Sequence, residues 1–96
     1  MKAVIWDRDA RQEADDALAG SRTPVELQRA IDDALHDITN GRVTHARIGR
    51  TQQRRCILTP YPYSIIYVDE DDAIRLLAFP HHKRRTNYWK NRLPKT

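Results

Sequence analysis

The groups in this sequence that could do chemistry or hold an anion gather in two places. Arg54-Arg55 opens one apolar run, and His81-His82 stands directly before Lys83-Arg84-Arg85. Imidazoles that can take up a proton would lie beside guanidinium groups that can hold a phosphate. Further on, Tyr88 and Trp89 are interleaved with Lys90, Arg92 and Lys95. Stacking surfaces beside cations suit RNA or single-stranded nucleic acid. The plainer alternative is a solubilising charge run in which Trp89 anchors the tail to the fold. The other candidates read as structural. His36 and His45 have no histidine at helical spacing and no adjacent cysteine, and Cys56 lies in an alternating run as a small hydrophobe. No Gly-x-Ser-x-Gly elbow is present, no Cys/His set suits zinc, and no cofactor is implied. Asp69-Glu70-Asp71-Asp72 lacks EF-hand spacing and reads as a solvated turn.

The elements that must position these groups can be traced from the N-terminus. Lys2–Trp6 is a short β-branched run and predicts a first strand. Asp7 or Asp9 can cap a helix carrying Ala10, Ala14, Ala17 and Leu18, which Gly20 ends. Thr23-Pro24-Val25-Glu26 has the form of a capping box with proline at the first helical position. Behind it Leu27, Ile31, Ala34, Leu35 and Ile38 make one apolar stripe, and Asn40-Gly41 is a stop. The period then changes from 3.6 to 2. Arg42–Ile48 alternates weakly, Gly49-Arg50-Thr51 is a turn, and Arg54–Thr59 alternates until Pro60-Tyr61-Pro62 breaks the ladder. Tyr63–Val68 and Ala73–Phe79 are apolar on both faces, as central strands of a covered sheet are. A short helical segment is expected around Asn87–Leu93. The fold class is α+β. An N-terminal strand and a helical hairpin precede a three-stranded antiparallel segment, which completes one small twisted sheet with a short C-terminal helical tail.

Size and charge bound the function. Ninety-six residues suggest one domain over residues 1–96, burying roughly 60–65 % of the unfolded surface. There is no eighteen-residue apolar run and no signal-peptide core, so the expectation is a cytoplasmic protein without a membrane partner. Residues 1–40 hold five Lys/Arg against nine Asp/Glu, a net charge of −4. Residues 41–96 hold twelve against four, a net charge of +8. Such asymmetry points to a polyanion or an acidic protein as partner for the basic half.

The C-terminal half also resembles a known family. Pro62-Tyr63-Ser64-Ile65-Ile66-Tyr67, the acidic turn, and His81-x-x-Arg84-Arg85-x-x-Tyr88-Trp89 follow one another as in the RelE/ParE superfamily, the toxins of bacterial type II toxin–antitoxin modules. The ParE-like plasmid-stabilisation branch is the nearer one, and the order of elements matches over nearly the whole chain. Asn87 stands near a position where that branch usually has proline. The resemblance implies a toxin held by a cognate antitoxin in a hetero-oligomer. The target would be DNA gyrase in the ParE-like case, or the ribosome and its mRNA in the RelE-like case. In the RelE pattern a catalytic arginine follows the strand tyrosine, whereas Ser64 follows Tyr63 here, which favours gyrase. On that reading Arg84, Arg85, Tyr88, Trp89 and Arg92 bind the target, while Arg54, Arg55, Lys83 and Lys90 meet the antitoxin. A nuclease would instead draw on Arg54, His81, His82, Arg85 and Tyr88. A basic RNA-binding module without toxicity is the alternative from another class.

Overall fold

The computed structural model describes residues 2–84, 88, 89 and 92. The elements are β1 (Ala3–Trp6), α1 (Arg8–Ala19), α2 (Pro24–Thr39), β2 (Gln53–Ile57), β3 (Ser64–Asp69) and β4 (Ala73–Ala78). The strands form one sheet in the order β1-β4-β3-β2. β2–β3–β4 is an antiparallel meander, and β1 returns to lie parallel to β4 with Ala3 opposite Ala73. This is the expected α+β arrangement, with the helical hairpin spanning one face of the sheet. The expected C-terminal helix lies outside the described residues, apart from Tyr88, Trp89 and Arg92.

Each helix boundary has a local cause. The Asp7 side chain accepts from the Asp9 and Ala10 amides at 2.9 and 3.3 Å, satisfying donors at the start of α1. The capping box expected at Thr23 does not form. Thr23 sits at φ −131°, ψ 62°, outside the extended backbone usual for an N-cap, and its side chain makes no capping bond. Pro24 still occupies the first turn, where its missing N–H costs nothing. At the other end Gly41 takes φ +68°. The Gly41 and Arg42 amides bond back to the Ile38 and Asp37 carbonyls at 3.2 and 3.0 Å, the paired bonds of a Schellman stop.

The stripe on α2 does what its spacing implies. Leu27, Ile31 and Ile38 are buried with Ile65, Tyr67, Ile74 and Leu76 of the sheet, while Ala34 and Leu35 are half-buried at the margin. The three buried residues of α1 are all alanines, Ala10, Ala14 and Ala17. Small side chains let that helix lie close to its neighbours. A second, smaller cluster on the opposite face joins Ile66, Leu77, Ala78 and Trp89, flanked by Ile48, Val68 and Tyr88. Both central strands are therefore covered on both sides. Arg42–Ile48 makes no strand. Its end is held to β2 by one bridge, Arg47 to Arg54, and by the Ile48 amide on the Gln53 carbonyl at 2.7 Å.

The acidic turn is more than solvated charge. Asp69 pairs with Lys2, whose Nζ also donates to the Glu70 carbonyl at 2.8 Å, and Glu70 pairs with Arg75 at 3.2 Å. Two of its four acids thus tie the sheet together at that end. Among the described residues no helix is long and apolar enough to cross a membrane.

Ile31 touches the sheet from the middle of α2 and is 1 % exposed. Ile31→Ala should cost roughly 2–5 kcal/mol in chemical denaturation. Leu35→Ala, at the half-buried margin, should cost less than Ile31→Ala. Equal stability of the Ile31 variant and the parent would refute this packing.

Candidate functional site

Strand alternation decides which of the two neighbouring arginines faces what. Cys56 packs in the helix-side core, so Arg54 shares that side, and its Nη1 donates to the His45 carbonyl. Gln53 and Arg55 point to the opposite face. There Gln53, 2 % exposed, accepts from the Trp89 indole at 2.9 Å, and the Arg55 guanidinium lies 5.8 Å from the Trp89 ring centre. Beyond β4 the chain runs back beside the start of β3. The Ser64 amide donates to the Pro80 carbonyl at 3.1 Å, and the His82 amide to the Pro62 carbonyl at 2.8 Å. Tyr63 stacks on Phe79 and meets His81 edge-on, with 5.1 Å between centroids in each case.

These contacts form a cleft of about 90 Å³ lined by Arg55, Ser64, Pro80, His81, His82, Arg84 and Trp89. Among the described residues no carboxylate lines it. Ser64 Oγ and His82 Nε2 are hydrogen-bonded at 3.0 Å, although Ser64 itself is 1 % exposed. The cleft can hold an anion between two arginines and two imidazoles.

Behind the cleft stands Glu13, on α1, with a side chain only 12 % exposed. One carboxylate oxygen accepts from the Phe79 amide at 3.0 Å and from Arg92 Nη1 at 3.0 Å. The other accepts from Arg84 Nη1 at 2.9 Å and Arg92 Nη2 at 3.3 Å. Arg92 also donates to the Leu77 carbonyl at 3.0 Å and lies 3.9 Å from Asp9. The Tyr88 ring lies between the two arginines, 3.7 Å from the Arg84 guanidinium and 5.1 Å from that of Arg92. Its hydroxyl is buried beside the Glu13 carboxylate without a hydrogen bond of normal geometry. Burial, then the neighbouring carboxylate, pushes that phenol's pKa up. For Glu13 burial alone would raise the pKa, but bonds from Arg92 and the Phe79 amide, with the charge of Arg92, hold it below its ordinary value.

The residues singled out from the sequence thus separate. His81, His82 and Arg84 reach the cleft, with Lys83 exposed beside it. Arg54 does not, because it belongs to the helix-side face with His45 and Tyr67, and Arg55 takes the place expected of it. His45 Nδ1 lies 2.7 Å from the Tyr67 hydroxyl. Burial and then Arg54 lower the His45 pKa, and burial raises that of Tyr67 to about 12. Trp89, 1 % exposed, is part of the core on this side of the sheet, which is the anchoring role rather than an exposed contact. Arg92 is bonded to Glu13, and Tyr88, its hydroxyl buried, is not among the residues that line the cleft. Arg85 and Lys90 lie outside the described residues. Sequence reasoning missed Glu13, Gln53 and Ser64. For Ser64 and Gln53 the signal was a polar residue inside or beside an apolar strand run; Glu13 had none, since one acid among many on an acidic helix looks like solvated surface.

No protein-family model and no curated protein matches the sequence. Solved structures do. A chain of the chromosomal ParDE TA system from P. aeruginosa superposes with a TM-score of 0.59 at 17 % identity, over 84 % of this chain and 96 % of that one. A copper-bound mutant toxin from Helicobacter pylori gives a TM-score of 0.67 at 19 % identity, over 85 % of this chain and 96 % of that one. The chain shares its fold with these two structures.

The Glu13 network has a direction in pH. A carboxyl whose folded pKa is depressed stabilises above its unfolded value, here 4.5, and loses that contribution as pH falls through the folded value. Trp89 emission should therefore stay constant from neutral pH to about 4.5 and shift red below it. Glu13→Gln should remove the acid step. A step of the same size in that variant would contradict the assignment.

Proposed function

We propose that this protein is the toxin of a type II toxin–antitoxin module of the plasmid-stabilisation kind, acting in the cytoplasm by binding DNA gyrase. The RelE/ParE-like fold supports the toxin reading, as does the likeness to a chain of a ParDE system. One observation carries the choice of target: of the groups a nuclease would recruit, Arg54 and the Tyr88 hydroxyl stand apart from the two histidines. Arg54 faces the helices, and the Tyr88 hydroxyl is shut against Glu13. What remains outward is a charged surface of Arg55, Lys83 and Arg84 around the cleft, and arginine is a usual anchor at protein interfaces. His81 and His82 shape that surface and transfer no proton.

The antitoxin on this reading is bipartite. An acidic segment would cross Arg55 and Lys83, where the chain's positive half is exposed. An amphipathic helix would lie along the helical hairpin, in an open groove of about 560 Å³ lined in part by Leu18, Pro24 and Val25, the last 66 % exposed.

A second reading is favoured by the cleft itself. Arg55 and Arg84 could steady a pentavalent phosphate. One imidazole would take the proton of the RNA 2′-hydroxyl as its oxygen attacks, and the other would give a proton to the leaving 5′-oxygen. This is ribosome-dependent mRNA cleavage with Arg55 in place of Arg54 and without Tyr88.

Inducible expression, supercoiling by purified gyrase and primer extension on translated mRNA separate the readings. The expected outcome is growth arrest relieved by the antitoxin, loss of supercoiling, and intact mRNA. His82→Ala should leave arrest largely unchanged, and Arg84→Ala should weaken it. Codon-spaced cleavage with supercoiling untouched, and a 10²–10⁴-fold loss of rate in His82→Ala, would replace gyrase by mRNA. Harmless expression with salt-steep RNA binding would replace both by the RNA-binding module.

A further inference from the structure

Glu13 does not itself line the cleft, yet three stretches of chain behind and beside the cleft converge on it. Its two oxygens take four hydrogen bonds from three separate stretches of chain: the end of β4, Arg84, and Arg92. Arg84 lines the cleft and reaches Glu13 with Nη1. Arg92 is three residues beyond Trp89, and its amide donates to the Trp89 carbonyl at 2.9 Å. Trp89 is itself a wall of the cleft. Tyr88 fills the space between the two arginines, edge-on to Trp89 at 5.1 Å.

Two alternatives explain this convergence less well. If Arg92 simply needed a counter-ion, Asp9 at 3.9 Å would offer one nearer the surface. Were Arg84 free to scan solvent, its guanidinium would not be both paired and stacked. A buried carboxylate that satisfies a backbone amide and two arginines together is stronger than either pair alone. Its loss leaves Arg92, 16 % exposed, with only the Leu77 carbonyl and the more distant Asp9, and releases Arg84 from its carboxylate.

We infer that Glu13 is the positioning residue of the cleft: it fixes Arg84 at the rim and, through Arg92, seats Trp89 as the opposite wall. α1 thereby controls a surface to which it contributes no side chain. The inference rests on the proposed target surface only for its effect on growth. Its structural half stands whether or not the protein is a toxin.

The test uses the full chain in a Trp6→Phe background, so that Trp89 alone reports. Glu13→Gln keeps the size and an acceptor for Phe79 but removes the charge. Acrylamide quenching of Trp89 should rise about threefold or more, and exchange of the Arg92 amide should speed up about tenfold, as local opening requires. Amides of β3 and of the middle of α2 should keep their protection. Glu13→Gln/Arg92→Gln should cost less than the sum of the two single changes, since both remove the Glu13–Arg92 contact. Unchanged quenching would overturn the inference. So would a uniform rise in exchange across the whole chain, which would make Glu13 a general stability residue instead. Growth arrest is scored separately. If the parent arrests growth and Glu13→Gln opens the segment without relieving arrest, the structural seating survives and its role in the target surface is overturned. A parent that fails to arrest growth overturns the toxin reading and leaves the quenching result to judge Glu13.

Discussion

β3 and β4 are buried on both faces, and a chain of 96 residues has little left to do the burying. The helical hairpin covers one side. On the other side, among the described residues, the cover is a loop residue, Ile48, with Tyr88 and Trp89. A thin cover of that kind must be held by directed contacts, because its apolar area alone is small. The Trp89–Gln53 bond and the Glu13 network are those contacts. Much of the architecture around the cleft follows from needing to seal this second face.

The same requirement redistributes the positive charge. Counted along the sequence, the C-terminal half is a basic run open to any polyanion. In three dimensions Arg84 and Arg92 are drawn onto a carboxylate from the acidic half, and Arg54 is turned to the helices. Among the described residues the basic surface at the cleft is narrower than the composition suggests: it consists of Arg55, two imidazoles and Arg84.

The sequence showed most of the fold because its elements are locally consistent. The stripe from Leu27 to Ile38 has one period, the runs from Tyr63 and Ala73 have another, and Asn40-Gly41 punctuates them where a positive φ is needed. The Thr23 box misled because a motif of residue types says nothing of the backbone angles that aim the hydroxyl. The site was half legible. His81 and His82 announced themselves by standing at the end of a strand among cations. Choosing Arg54 over Arg55 was a coin toss without the strand's phase, which is fixed only by Cys56 and Leu58 packing under the helices. Glu13 was invisible because its partners, Arg84 and Arg92, lie 71 and 79 residues away. Periodicity reports on neighbours along a helix or strand and carries no information at that separation.

The parallel pairing of β1 with β4 sets an order of assembly. β2, β3 and β4 are joined by short turns and can zip locally, whereas Ala3 meets Ala73 only after the whole hairpin and meander lie between them. Loop closure over that length is entropically slow, so the meander is the natural nucleus and β1 docks late. α1 follows β1 directly, with Asp7 alone between them, and the Asp7 amide is held by the Leu76 carbonyl at 2.8 Å. Glu13 can therefore reach Arg84 and Arg92 only once this first strand has closed on the sheet. On that order Glu13 meets Arg84 and Arg92 in the last folding event, and a chain stalled before it would carry the β2–β3–β4 meander without the contacts behind the cleft.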